Sequence, residues 1–376
     1  MKAFDRWLLL AVVVLAVFGL VMMSSMSISA SYELTKDSLT GPTNNFYFFR
    51  HMRYLALGVG AFFLGYRFPY ESLKRFSPLI YLVGVALLIA VFVVGTDYNT
   101  AARQWLQLGP LPSLQPVEYM KPAIIVFFSA MFGSGKLDAD TVGGGLLPFF
   151  IVLGVPAALI FAQPDLGSLA VLVLSSLAVY FAAGGHVRHI LLGGMGGLLG
   201  VLGLIKILNY DYVLRRLMTF WQPEAGSDAA YQIEQALIAI GSGGVWGRGF
   251  QQGIQKFDYL PEVQSDTIFA AISEELGFVR IVLLLGLYLF IAYRGFRIAR
   301  YAPDDFTRYL AVGLTTMVVG QAFANIAVNL ALFPNTGITL PLISSGGSSL
   351  IFTLLSLGML LHISEHVSFT QSKRWR

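Results

Sequence analysis

Residues 7–28 read WLLLAVVVLAVFGLVMMSSMSI, with no charged side chain. Wound as a helix at 1.5 Å per residue, the run is about 33 Å long and matches roughly 30 Å of bilayer hydrocarbon. The rest of the chain has the same character. Of its 376 residues 56% are hydrophobic and only 12% charged, against about 25% charged in soluble domains. With the 39 glycines added and the 17 tyrosines removed, the apolar share becomes roughly 61–62%, against about 45–50% in soluble domains counted that way. So much apolar surface must face lipid. That excludes secreted enzymes, cytosolic nucleotide enzymes and nucleic-acid readers. A net charge of +4 is too small for a polyanion-binding surface, and zero cysteines remove disulfides, thiolate metal sites and thiol nucleophiles.

Further runs of this kind predict an all-α, polytopic integral membrane protein with about ten transmembrane helices, a single domain over 1–376. They lie near 7–28, 50–67, 78–95, 119–134, 145–163, 168–184, 190–208, 267–293, 310–333 and 349–366. An even number puts both termini on one side. With both termini cytoplasmic, the inner segments hold Lys2, Arg6, Arg67, Lys74, Arg75, Lys136, Arg188, Arg294, Arg297, Arg300, Arg308, Lys373, Arg374 and Arg376, the larger part of the 25 basic residues. Lys2, Arg6 and Ser29-Ala30 also resemble the parts of a signal peptide, but the apolar run between them is long enough to span.

One long extracytoplasmic loop is expected at 209–266, and loops of that length are rarely idle. Within it Ile233, Ala236, Leu237 and Ile240 recur as on an amphipathic helix, with Ser227 or Asp228 as a cap and Gly241 as a stop. Polar residues gather on the same outer side in four stretches: Ala102–Trp105 running on to Gln115–Lys121, Gln163–Ser168, Tyr259–Asp266 leading to Glu274-Glu275, and Thr336–Ser349. Irregular backbone at membrane depth survives only inside protein or around a wet cavity. The four stretches are therefore read as lining one outward-facing polar cavity.

Each of these residues also has a plainer reading. Arg103, Arg215 and Arg216 suit snorkelling anchors, and Asp165 and Asp266 suit helix caps. Glu274 and Glu275 are intramembrane carboxylates, which usually pair or work, and Arg280 is the partner at hand. Gln321, Asn325 and Asn329 read as interhelical hydrogen-bond glue, and Gly193, Gly196, Gly197 and Gly200 as a close helix contact. His362, Glu365 and His366 lack a third metal ligand nearby, and Gly241–Gly249 follows no strand and carries no phosphate-loop lysine.

Gln163-Pro164-Asp165-Leu166-Gly167, Gln115-Pro116-Val117-Glu118 with Lys121, Tyr259-Leu260-Pro261-Glu262 with Asp266, and the turn closed by Ser348-Ser349 resemble, in this order, the motifs of the SEDS family (shape, elongation, division and sporulation). The resemblance runs from Asp5-Arg6 through the last span. It departs at Gln264-Ser265, where the family usually has His-Thr, at Gln104 (arginine), Ser345 (tyrosine) and Arg280 (glycine). It implies a peptidoglycan glycosyltransferase that polymerises lipid II into a growing glycan chain on the outer face of the bacterial cytoplasmic (inner) membrane. It implies a class B penicillin-binding protein, a transpeptidase, as partner, with other divisome or elongasome membrane proteins and no nucleic acid. The family's essential aspartate falls on Asp266 and its lysine on Lys121. Gln255–Glu262 and Thr339-Leu340-Pro341 look closer to the FtsW and SpoVE branch than to RodA, so septal wall synthesis is expected ahead of elongation.

Joining two lipid-linked disaccharides requires a sugar hydroxyl to attack an anomeric carbon, with inversion, as a lipid diphosphate leaves. A carboxylate must take the proton and cations must hold the departing charge. Asp266 is the expected base, its pKa raised above the ordinary ~3.9 by desolvation or neighbouring Glu residues. Lys121, Arg215, Arg216 and Arg248 are the expected diphosphate clamps, and Glu118, Arg103, Trp105, Asp165, Glu262 and Ser348 further substrate contacts. A divalent cation, Mg or Mn, fits the same chemistry; no nucleotide cofactor is expected. The rival readings are a flippase for lipid-linked sugars, with the cavity as a path, and a scaffold for partner proteins.

Overall fold

Asp5 starts the first helix. Its carboxylate accepts the Trp7 and Leu8 amides (3.1 and 3.0 Å), satisfying two of the donors every helix start leaves open. The computed structural model describes residues 4–38, 41–96, 104–107, 113–189, 191, 193–194, 203 and 228–367. The helices are α1 (Arg6–Met26), α2 (Ile28–Thr35), α3 (Phe46–Arg67), α4 (Tyr70–Val94), α5 (Pro116–Phe132), α6 (Leu147–Ala162), α7 (Leu166–Ala182), α8 (Asp228–Ser242), α9 (Ile268–Arg300), α10 (Asp305–Asn329) and α11 (Gly347–Glu365). Among the described residues there is no sheet, only the isolated bridges Thr96 to Trp105 and Leu106 to Leu114.

Among the described residues, six helical stretches are long and apolar enough to cross a membrane: α1, α4, Val142–Ala162, α9, α10 and α11; α7 is apolar but shorter. Their outward faces carry bare hydrocarbon, such as Leu79, Leu82 and Val93 on α4 and Phe278, Leu283 and Leu289 on α9. Such a surface is at rest only in lipid, so the chain is a multi-pass membrane protein. Most of the 190–208 span, with Gly196, Gly197 and Gly200, lies outside the described residues.

Boundaries shift where backbone chemistry overrides hydropathy. The third predicted span begins at Pro78, yet α4 starts at Tyr70 and passes through that proline. Pro78 has no N–H for the Lys74 carbonyl, and the Ser77 hydroxyl donates to it instead (2.9 Å). α10 ends at Asn329, four residues before the predicted limit. The eighth span is interrupted: Gly277 leaves helical geometry (φ 74°, ψ 175°), dividing α9 into Ile268–Leu276 and Phe278–Arg300. The first piece is buried on nearly every side, and the second bears the lipid-facing residues.

Two ends of the bundle result. At one, the buried Arg294 guanidinium grips Asp5 (2.5 and 2.8 Å), and the Ser364 hydroxyl accepts the Asp5 amide (3.0 Å), so the two described chain ends meet. Here α3, α5, α9 and α11 finish, with Arg67, Arg297 and Arg300 among their last residues. The opposite end gathers the polar clusters.

Candidate active site

Lys121 is set in α5 behind Pro116, a residue suited to a helix start. Only 1% exposed, it donates to both oxygens of Glu118 (2.8 and 2.7 Å) and to Gln321 Oε1 on α10 (2.7 Å). A buried ammonium so far from water needs this counter-charge and these bonds. The Gln321 amide continues the network, donating to the Thr339 carbonyl (3.1 Å) and the Ser349 hydroxyl (3.1 Å).

One turn along the same face of α10, the Asn325 amide donates to the carbonyls of Asp266 (2.8 Å) and Ile338 (2.7 Å). A turn further, Asn329 donates to the same Asp266 carbonyl (2.9 Å). Gln321, Asn325 and Asn329 thus form a ladder with a rung about every 6 Å. It ties the Lys121 ion pair to the main chain of Asp266.

The Asp266 carboxylate is not a helix cap. Thr267 holds the capping position of α9, without a side-chain bond to the helix. The carboxylate instead faces a small cleft shared with Gln232, Asn329 and Asn335. Gln232 on α8 hydrogen-bonds it, and the Ser265 hydroxyl donates to Oδ1 (3.1 Å). Loss of hydration, with the Glu262 charge second, pushes its pKa up to about 6. Glu262 is held close because its Oε2 accepts from Ser265 Oγ (2.9 Å) and Gln264 Nε2 (3.2 Å). Gln264 and Ser265, two of the departures from the family pattern, therefore build the setting of this aspartate.

The structure divides the other expected site residues. Asp165 caps α7, accepting the Ser168 amide (2.9 Å), and its second oxygen accepts from Gln115 (3.4 Å). Ser348 pins the same strand of loop, accepting the Gln115 amide (3.0 Å) and donating to the Ser113 carbonyl (3.1 Å). Trp105 lies in the bridge to Thr96, beside Gln104, which donates to the Gln163 carbonyl (2.8 Å). Arg248 is drawn elsewhere: it pairs with Glu274 (3.2 Å), two turns into α9 from Asp266. Arg103, Arg215 and Arg216 lie outside the described residues.

Glu274 and Glu275 do pair, though not with Arg280. Glu274 accepts the Ile254 and Gln255 amides (3.0 Å each). Glu275 accepts from Lys256 (2.7 Å), Ser25 (2.8 Å) and the Gln251 amide (3.0 Å). Both clamp the glycine-rich loop onto the break in α9. There the Arg248 and Gly249 amides reach the Glu274 and Glu275 carbonyls (3.0 Å each), and Phe278 and Val279 bond back to Gly244 and Val245 (2.9 and 3.2 Å). Gly247 and Gly277 touch at this point; a Cβ on Gly277 would fall 2.1 Å from the Gly247 nitrogen. Arg280 donates to the Trp246 (2.5 Å) and Leu276 (3.0 Å) carbonyls beside the break.

α8 confirms the amphipathic helix in the loop, but its buried face is Ala236 and Ala239, with Leu237 turned outward. Two residues beside the site went unforeseen. Tyr47 on α3 hydrogen-bonds Gln264 and lies in the field of Glu262, and Arg50 stacks on Tyr47 and Tyr54 (5.7 and 5.9 Å). An arginine at the wrong end of a span for the positive-inside rule was the available signal.

The family model described as "Cell cycle protein", covering FtsW, RodA and SpoVE, matches residues 6–369. The chain belongs to this family. Stage V sporulation protein E of Bacillus subtilis is 35% identical over 96% of this SEDS chain and 97% of its own length. The probable peptidoglycan glycosyltransferase FtsW of the same organism is 35% identical over 100% and 94%. Among solved structures, a chain of a peptidoglycan synthase complex that coordinates polymerization and crosslinking superposes with a TM-score of 0.78, at 27% identity over 97% and 98% of the two chains. The rod shape determining protein RodA of Thermus thermophilus does so at 0.68, with 27% identity over 96% and 97%.

Proposed function

We propose that this SEDS chain is a peptidoglycan glycosyltransferase polymerising lipid II at the outer face of the cytoplasmic membrane, in septal wall synthesis. One observation carries the reading: a carboxylate with a raised pKa, held by its main chain to the ladder that also holds the buried Lys121 pair. Asp266 takes the proton of the attacking sugar hydroxyl. With a pKa of about 6 it is mostly ionised at neutral pH and a stronger base than an ordinary aspartate. Lys121 spends its donors on Glu118 and Gln321, so its part is to brace α5 against α10. The diphosphate charge falls to cations: Arg50, which stacks on Tyr47, and, on the reading of the sequence alone, Arg103, Arg215 and Arg216, which lie outside the described residues. Among the described residues no three His, Asp or Glu side chains converge. The Glu262 and Asp266 pair nevertheless fits a Mg or Mn ion shared with a substrate diphosphate, where it would offset leaving-group charge.

The arginine-rich end of the bundle is assigned to the cytoplasm, with ten spans, both termini inside, and 209–266 outside. A class B penicillin-binding protein is the proposed partner, supported by the likeness to a chain of a synthase complex. The purified chain, mixed with lipid II in detergent, should make glycan strands without a bilayer. Lipid II left unpolymerised, with transport across vesicles instead, would favour the flippase; no turnover of either kind would favour the scaffold.

A further inference from the structure

The loop that bridges the break in α9 turns Lys256 inward, where it and Glu275 of α9 are almost fully buried against each other, and keeps Arg248 and Asp258 at the surface, while Trp246 is 69% exposed. Val245, Phe250, Ile254, Phe257 and Tyr259 are exposed with it. This is not slack chain, because Glu274 and Glu275 hold four of its amides. A fixed, exposed apolar surface of this extent is unfavourable in water and marks a contact face.

Its depth follows from backbone register. Phe278 and Val279 bond to Gly244 and Val245, so Trp246 lies level with the first lipid-facing turn of α9, where Phe278 is 67% exposed. From Arg297 at the arginine-rich end to Phe278 is nineteen residues, about 29 Å of helix. That equals the hydrocarbon thickness of roughly 30 Å, which puts Trp246 at the boundary where tryptophan and tyrosine belts form.

We propose that residues 245–259 are a monotopic wedge that sits in the boundary between lipid headgroups and acyl chains, continuous with the lipid-facing stripe of α9. Through the same clamp the wedge fixes the height of the chain segment that leads into Asp266. The inference goes beyond the glycosyl-transfer reading and is tested without substrate. Trp246 is kept as sole tryptophan by replacing Trp7, Trp105, Trp221 and Trp375 with Phe, and the protein is placed in vesicles of phosphatidylcholine brominated high on the acyl chain. The expected result is strong quenching by the brominated lipid and weak quenching by aqueous acrylamide. The reverse would overturn the proposal, as would shielding from acrylamide that requires an added transpeptidase. Since the chain has no cysteine, Phe250→Cys gives a second readout if the tryptophan variant folds poorly. Its thiol should resist a water-soluble maleimide in phosphatidylcholine vesicles and react after denaturation; prompt labelling in vesicles would also overturn the proposal.

Discussion

Replacing Glu262 with Gln isolates one contribution to the basicity of Asp266. The Ser265 hydroxyl lies 2.9 Å from Glu262 Oε2 and 3.1 Å from Asp266 Oδ1, so the two carboxylate oxygens are no more than about 6 Å apart. Two unit charges at that distance repel by about 0.7 kcal/mol at the dielectric of water, and about twice that at half the dielectric. At 1.36 kcal/mol per unit this raises the Asp266 pKa by about half to one unit. Gln keeps the shape of Glu262 and removes the charge, which favours ionised Asp266 and lowers its pKa from about 6. The assay is the pH dependence of lipid II polymerisation at fixed ionic strength. The acid limb of the wild-type profile, where activity rises with pH as Asp266 loses its proton, should have its midpoint near 6 and move to lower pH in Glu262→Gln. The displacement should shrink in 1 M salt, where the screening length falls to about 3 Å. A limb that stays in place or moves to higher pH would refute the assignment of that limb to Asp266 under the field of Glu262.

Three further outcomes follow from the packing. Glu118→Gln leaves the Lys121 ammonium buried without its counter-charge and should cost about 3–5 kcal/mol, read as a lowered melting temperature in detergent; adding Lys121→Met should recover most of the loss. Gly277→Ala, which forces a Cβ onto the Gly247 nitrogen at φ 74°, should abolish the folded, monodisperse protein on size exclusion. Gly286→Ala in the same helix, with open space around it, should behave as wild type. Asn329→Ala removes one of two bonds to the Asp266 carbonyl and should slow polymerisation by roughly fivefold, about 1 kcal/mol, while the melting temperature changes little.

Hydropathy made the membrane class legible because a long uncharged run has few other uses. It could not show the break in α9, since counting apolar residues is blind to backbone angles; only Gly277 marked the place, and its partner Gly247 lies thirty residues earlier. Asp266 was recognisable from its motif, and its carboxylate, free of capping duties, is available for chemistry. The Arg248 pairing with Glu274 was not legible, because sequence does not say that Glu274 sits beneath it. Lys121 was found as a cation, but its burial against Glu118 could not be read from the sequence. Gln321, Asn325 and Asn329 were read as glue from their spacing, and the structure adds what they hold: the main chain of the proposed base.

In the proposed reaction Asp266 accepts the proton of the attacking hydroxyl. Asp266→Asn keeps the bonds to Ser265 and Gln232 within reach but cannot serve as that base. Measured on purified protein with lipid II, it should match wild type in melting temperature and lose glycan polymerisation by about a hundredfold or more. Strand synthesis near the wild-type rate by a well-folded Asp266→Asn protein would contradict the account.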